Sequence, residues 1–182
     1  MIRRMGRGPL LGGLLALALA STACGYRPLL RDATAPGQVQ RIAVPLLVND
    51  TEQVGLEVDL TAALIDRLDR YRAISISDNQ ADATLRGTIR GASLRPTQAV
   101  AGGGERHQAF RVALILDLQL VRTSDNAVLW QSMALRREAE YDMGPVIAGE
   151  DVLAAEDLRY RALVSAGTRA AEEGIELMMG GS

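Results

Sequence analysis

The sequence predicts an α+β fold: a two-layer sandwich in which a mostly antiparallel sheet of about four strands carries two helices on one face. Three observations predict it. Gln108 to Thr123 alternates, with Phe110, Val112, Leu114, Leu116, Leu118 and Leu120 on one side, and a period of two marks a strand with one buried face. Two other stretches, 55–72 and 150–179, repeat their apolar residues at three- and four-residue steps, as helices do. The order strand, helix, three or four strands, helix then collects both helices on one side of the sheet.

Each element follows from local pattern. Residues 41–48, Arg-Ile-Ala-Val-Pro-Leu-Leu-Val, read as a strand; Pro45 cannot donate to a ladder, so the strand lies at an edge or ends there. In the first helix, 55–72, Leu56, Leu60, Ala63, Leu64, Leu68 and Tyr71 make one stripe, and the charged residues fall mostly on the other side. A short strand at 73–77 and a turn at 78–80 follow. The strand 83–94 places Leu85, Gly87, Ile89 and Gly91 on one face and Thr84, Arg86, Thr88 and Arg90 on the other. Arg95-Pro96 ends it, and 97–106 reads as a hairpin loop around Gly102-Gly103-Gly104; the glycines lack phosphate-loop spacing. After the strand at 108–123, the turn Ser124-Asp125-Asn126 sets the next strand, 127–138, antiparallel to it. Trp130 inside that strand reads as a packing anchor, with a ligand-stacking role as the alternative. A second loop spans 142–149. The last helix, 150–179, carries acidic residues in its first turns, which suits the helix dipole; Gly167 and Gly174 allow a break in the middle.

Ahead of the domain, residues 1–23 read as a signal peptide. Arg3, Arg4 and Arg7 precede an apolar run from Leu10 to Ala20 and a small-residue cut site, Ser21-Thr22-Ala23. The run is shorter than the ~20 residues a spanning helix needs. Residues 24–40 read as a tether interrupted by Pro28, Pro36 and Gly37, and 41–182 as the domain. All 20 basic residues are arginine. Removing the three in the leader leaves 17 against 22 acidic residues, a net charge near −5. That balance, with few aromatics, argues against nucleic acid as a partner.

An enzyme needs a constellation that is missing here. His107 is the only histidine and reads as a solvated strand-end residue. No Gly-x-Ser-x-Gly elbow occurs, no residue set has metal-ligand spacing, and the carboxylates fall on helix faces and caps. The reading is a non-enzymatic binding protein without cofactor or metal.

Two resemblances sharpen this. Ala20-Ser21-Thr22-Ala23-Cys24 resembles a bacterial lipobox, which implies cleavage before Cys24, a thioether-linked diacylglycerol on its sulfur and an acyl chain on the new amine. Multiple chains hold a protein stably where one does not. A plain secreted protein with a packed thiol is the alternative. Gly25, in place of an inner-membrane-retaining Asp, implies onward transport to the outer membrane. Beyond the anchor, the chain resembles the LptE family of lipopolysaccharide-assembly lipoproteins. The likeness rests on Cys24-Gly25-Tyr26, Ile42-Ala43-Val44-Pro45, Asn49-Asp50-Thr51, the segment Gly55 to Thr61, the segment Ala81 to Ile89, and Val128-Leu129-Trp130. It implies an outer-membrane lipoprotein on the periplasmic side, partnering an LptD-type β-barrel that passes lipopolysaccharide to the outer leaflet.

Lipid A carries phosphates, and fixed guanidiniums suit them. Arg86 and Arg90 share a strand face by alternation, Arg111 falls on a neighbouring strand, and Arg95 and Arg106 flank the glycine loop. These five are the expected phosphate-contacting residues; the bland alternative is that they solvate the open face of a one-sided sheet. Two other functions stay open: an activator of a periplasmic peptidoglycan synthase, and an auxiliary lipoprotein of a phospholipid transporter. The short tether reaches at most roughly 50 Å at about 3.5 Å per residue, which favours a membrane-proximal partner.

Overall fold

The computed structural model describes residues 34–100, 106–145 and 152–180. The leader, Cys24, the first part of the tether and the run Gly102-Gly103-Gly104 lie outside the described residues. The elements are β1 (Arg41–Ala43), β2 (Val48–Asn49), α1 (Leu56–Asp69), β3 (Ser75–Ile76), β4 (Ala83–Val100), β5 (Arg106–Arg122), β6 (Val128–Pro145) and α2 (Val152–Gly180). They form an α+β sandwich of one mixed sheet and two helices. The sheet order is β3-β1-β4-β5-β6, with β2 also paired to β4. The three long strands are antiparallel neighbours. The short strands β1, β2 and β3 pair parallel. α1 intervenes between β1 and β3, and a helical crossover returns the chain in the same direction.

Several boundaries differ from expectation for identifiable reasons. The strand expected at 41–48 is two short strands, and Pro45, which has no N–H to give, stands between them. Pro96 does not end β4. It sits opposite Phe110 in a ladder that continues to Val100 and Arg106, so the expected loop at 97–106 shrinks. β1 and β2 pair only with the first half of β4, which leaves an open edge where proline is tolerated. β6 runs on to Pro145 because β5 supplies partners that far. The last residues read as tether pack against the domain: Ala35 and Val39 are buried around a 3-10 turn at Pro36–Gln38, and the Gln40 N–H donates to Asp82 Oδ2 at 3.3 Å.

One core joins the layers. The even-numbered face of β5 (Val112, Leu114, Leu116, Leu118, Leu120) is fully buried with Leu85 and Ile89 of β4 and with Leu56, Leu60, Leu64 and Leu68 of α1. α2 adds Leu163, Ala166, Ala170, Ile175 and Met178. It is a single unbroken helix despite its two interior glycines, Gly167 and Gly174. A Cβ on Gly167 would come within 2.5 Å of Leu60 Cδ2, and one on Gly174 would collide with Leu118. The glycines therefore set the distance at which α2 meets α1 and the sheet, and that contact outweighs their cost of ~1 kcal/mol each in helix propensity. Trp130, opposite Leu120, packs partly buried against the same core.

Of the register shifts along the long strands, two lie side by side in the middle of the sheet. In β4, Ile89 faces Leu116 and Gly91 faces Ile115, so Arg90 is the extra residue. In β6, Leu135 faces Leu116 and Ser132 faces Leu118, so Met133 and Ala134 together stand opposite Asp117; Ala134 takes a φ of 56° there. The outer edge of β6 is blunted: Arg137 donates to its neighbour's carbonyl at Arg136, and Arg169 of α2 donates to the Glu138 carbonyl. Charged side chains of this kind discourage a further strand from adding to an exposed edge.

Candidate functional site

The face of the sheet away from the helices holds the candidate residues. The strand register sorts them into rows across β4, β5 and β6. In the first half of β4 lies Arg86–Gln119–Gln131, and in the distal half Arg95–Arg111–Glu140. Between the two, Thr88 stands opposite Asp117. The bulge at Arg90 determines which side Arg95 occupies. Strict alternation from Leu85 would send Arg95 and Gly91 to the helix side; the extra residue shifts the phase, so both share the open face with Arg86 and Ala92 packs inward.

Asp117 organises the middle of this face. It is 8% exposed. Arg90 Nε donates to its Oδ2 at 2.7 Å, and the Ala134 N–H donates to its Oδ1 at 2.7 Å. One carboxylate thus ties the bulge of β4 to the bulge of β6. Burial pushes the Asp117 carboxyl upward, but the Ala134 N–H and the Arg90 guanidinium outweigh it, and its pKa falls below the usual carboxylate value. Arg90 also donates to Asp50 Oδ2 at 3.1 Å.

The five arginines therefore have different circumstances. Arg90 is held by Asp117 and Asp50. Arg111 donates through Nε to Glu140 Oε1 at 2.9 Å, with Glu138 at 3.7 Å. Arg86 and Arg95 are exposed and make no ion pair or hydrogen bond among the described residues. They lie nine residues apart on β4, roughly 30 Å at strand rise, and so form no single pocket. Arg95 and Arg111 stand directly opposite each other. Like charges at that spacing repel; Glu140 and Glu138 both lie beside Arg111, which leaves Arg95 as the guanidinium of the pair without an acidic partner among the described residues. Arg106 faces Val100 at the strand tip, and its side chain lies outside the described part.

Gln119, Gln131 and Asp117 were not among the expected site residues. The alternation of β5 places Gln119 and Asp117 on the open side, but only the register reveals the rows. Charge is segregated by layer. β4, β5 and β6 hold eight arginines and four acidic residues, whereas α1 and α2 hold nine acidic residues and four arginines. The open face can thus receive an anion by electrostatics and guanidinium hydrogen bonds. Among the described residues no group of three or more His, Cys, Asp or Glu is placed to hold a metal ion.

Solved structures similar to this chain include the PelC dodecamer of Paraburkholderia phytofirmans, 14% identical over 77% of this chain and 88% of that one, with a TM-score of 0.42. A minor lipoprotein of Acinetobacter baumannii is 9% identical over 74% and 91%, with a TM-score of 0.45. The rare lipoprotein B of Shewanella oneidensis is 15% identical over 78% and 96%, with a TM-score of 0.42. No curated protein matches the chain. The family model for LptE, described as lipopolysaccharide-assembly, matches residues 39–176, and a match over that much of the sequence makes this chain a member of the LptE family.

Proposed function

We propose that this protein is an outer-membrane lipoprotein, anchored through Cys24 on the periplasmic side, that partners an LptD-type β-barrel in assembling lipopolysaccharide into the outer leaflet. The observation that carries this reading is the family match over residues 39–176. The role is binding and positioning, not bond chemistry. The open face of the sheet offers the saccharide–phosphate part of the ligand a run of arginine and glutamine side chains, with Arg95 beside Arg111 as the first phosphate contact and Arg86 as a second, separate one. Arg90 supports the face through Asp117 and is a positioning residue.

The test is capture of the tagged, lipidated chain from detergent-solubilised outer membrane, with its partners identified by mass spectrometry. A stoichiometric barrel of LptD type is the expected result. A peptidoglycan synthase or a phospholipid-transport subunit in its place would overturn the reading. Cys24→Ala in the same experiment should accumulate as uncleaved, unacylated precursor; normal processing of that variant would remove the anchor from the proposal.

A further inference from the structure

The two rows on the open face differ in chemistry. The distal row, Arg95–Arg111–Glu140 with Glu138 beside it, holds charged groups only. The row Arg86–Gln119–Gln131 holds no carboxylate. Within it, Gln119 Nε2 donates to Gln131 Oε1 at 3.3 Å. That bond orients both amides, and it leaves the Gln119 oxygen to accept and the Gln131 nitrogen to donate. Arg86 beside them is exposed and makes no ion pair or hydrogen bond among the described residues. Asp117, two positions along β5 from Gln119, is taken up by Arg90 and by the Ala134 N–H.

The surroundings extend this pattern. Thr84 and Thr88 lie two residues to either side of Arg86 and share its face by alternation. On β6, Val128 and Met133 flank Gln131 and are 52% and 51% exposed. A sugar ring has a hydroxyl rim that both donates and accepts, and apolar C–H faces. Amides and threonine hydroxyls answer the rim, the aliphatic side chains answer the faces, and a guanidinium fork answers an anionic substituent. A free phosphate would use Arg86 alone and leave the amides idle. Strands ~4.8 Å apart make the row roughly 10 Å wide, the scale of a sugar ring with its substituents. Arg86 and Arg95 are roughly 30 Å apart at strand rise, so a compact phosphorylated headgroup does not reach both, whereas a ligand with a chain of sugars does.

We propose that Arg86, Gln119 and Gln131 form a saccharide subsite that selects an acidic sugar, a polyhydroxyl ring carrying a carboxylate or a phosphate. The two glutamines are its specificity-determining residues. The proposal rests on the functional reading above, in which the ligand is lipopolysaccharide, and divides that ligand between the rows: the sugars lie on Arg86–Gln119–Gln131 and the phosphates of the lipid end lie at Arg95 beside Arg111.

The experiment titrates the full-length chain with two probes, intact lipopolysaccharide and the lipid A left when mild acid removes its saccharide, with thermal melting of each variant as the folding check. Gln119→Leu with Gln131→Leu should bind intact lipopolysaccharide about fivefold or more weakly, the scale of two lost hydrogen bonds, and bind lipid A as the wild type does. Arg95→Ala should weaken both. The saccharide released by the acid step should displace intact lipopolysaccharide from the wild type. If phosphatase-treated saccharide still displaces it, the recognised group is a carboxylate; if not, it is a phosphate. A folded leucine variant with unchanged affinity for intact lipopolysaccharide, or with an equal loss for lipid A, overturns the subsite and leaves the functional reading intact, as does a released saccharide that displaces nothing. If the leucine variant unfolds, Arg86→Gln decides by the same two affinities: no loss, or an equal loss for both probes, overturns the proposal. If the wild type binds neither probe, the ligand part of the functional reading falls and the subsite with it.

Discussion

On one face of β5, Leu114, Leu116, Leu118 and Leu120 are sealed beneath two helices. On the other, Arg111 and Asp117 sit among charged and amide side chains from β4 and β6. The apolar face is held by close packing, summed over many small contacts that tolerate no gap. The polar face is held by a few directed bonds, two of which converge on Asp117. Losses on the first face therefore spread through the whole domain, while losses on the second are confined to a row. A ligand surface is better built on the second kind, because its side chains can change partners without unsealing the core.

The largest expected effect is on the sealed face. Leu118→Ala removes a fully buried side chain that fills the space left by Gly174, and a cavity of that kind costs about 2–5 kcal/mol. Denaturant unfolding checks it; a loss well below that range would mean that α2 does not seal the sheet there.

Asp117→Ala is expected next, at about 1–3 kcal/mol, since it leaves the Ala134 N–H and the Arg90 Nε–H without their acceptor, Arg90 keeping only Asp50. Hydrogen exchange at Ala134 should quicken while exchange at Leu114 and Leu116 changes little. Acid sharpens the same contrast. The Asp117 pKa is lower in the folded protein than in the unfolded chain. Its stabilisation is therefore present above the unfolded value and is lost as pH falls through the depressed folded value. The pH-dependence of stability in that acid range should be shallower in the Asp117→Ala variant than in the wild type.

The smallest effect on stability belongs to Arg86→Ala with Arg95→Ala, within about 0.5 kcal/mol for exposed residues. The same variant should bind lipopolysaccharide more weakly in a direct titration. Unchanged affinity would return these arginines to the role of surface solubilisers.

α1 and the central part of β5 were legible because their signal lies inside one segment: every third or fourth residue of a helix, every second residue of a strand. The two-layer architecture followed from the order of those segments. The distal halves of β4 and β6 were hidden because Pro96 and Gly144-Pro145 are local stop signals, overridden where β5 supplies a ladder partner on one side only. The candidate site was half legible. The arginines were visible as residues, but Asp117 and Glu140, which hold Arg90 and Arg111, lie on neighbouring strands, and their pairing depends on register.

What the sequence determines by itself is the content of the fold: which stretches are helix, which face of β5 is apolar, and that arginine supplies all the positive charge. What only the tertiary structure decides is phase and partnership. The bulge at Arg90 moves Arg95 onto the open face, and the register sets Arg95 against Arg111. The reason is physical. Periodicity is a property of one segment, whereas a bulge forms where adjacent strands must bend together over a shared core, and an ion pair exists only when two distant segments bring their charges within reach.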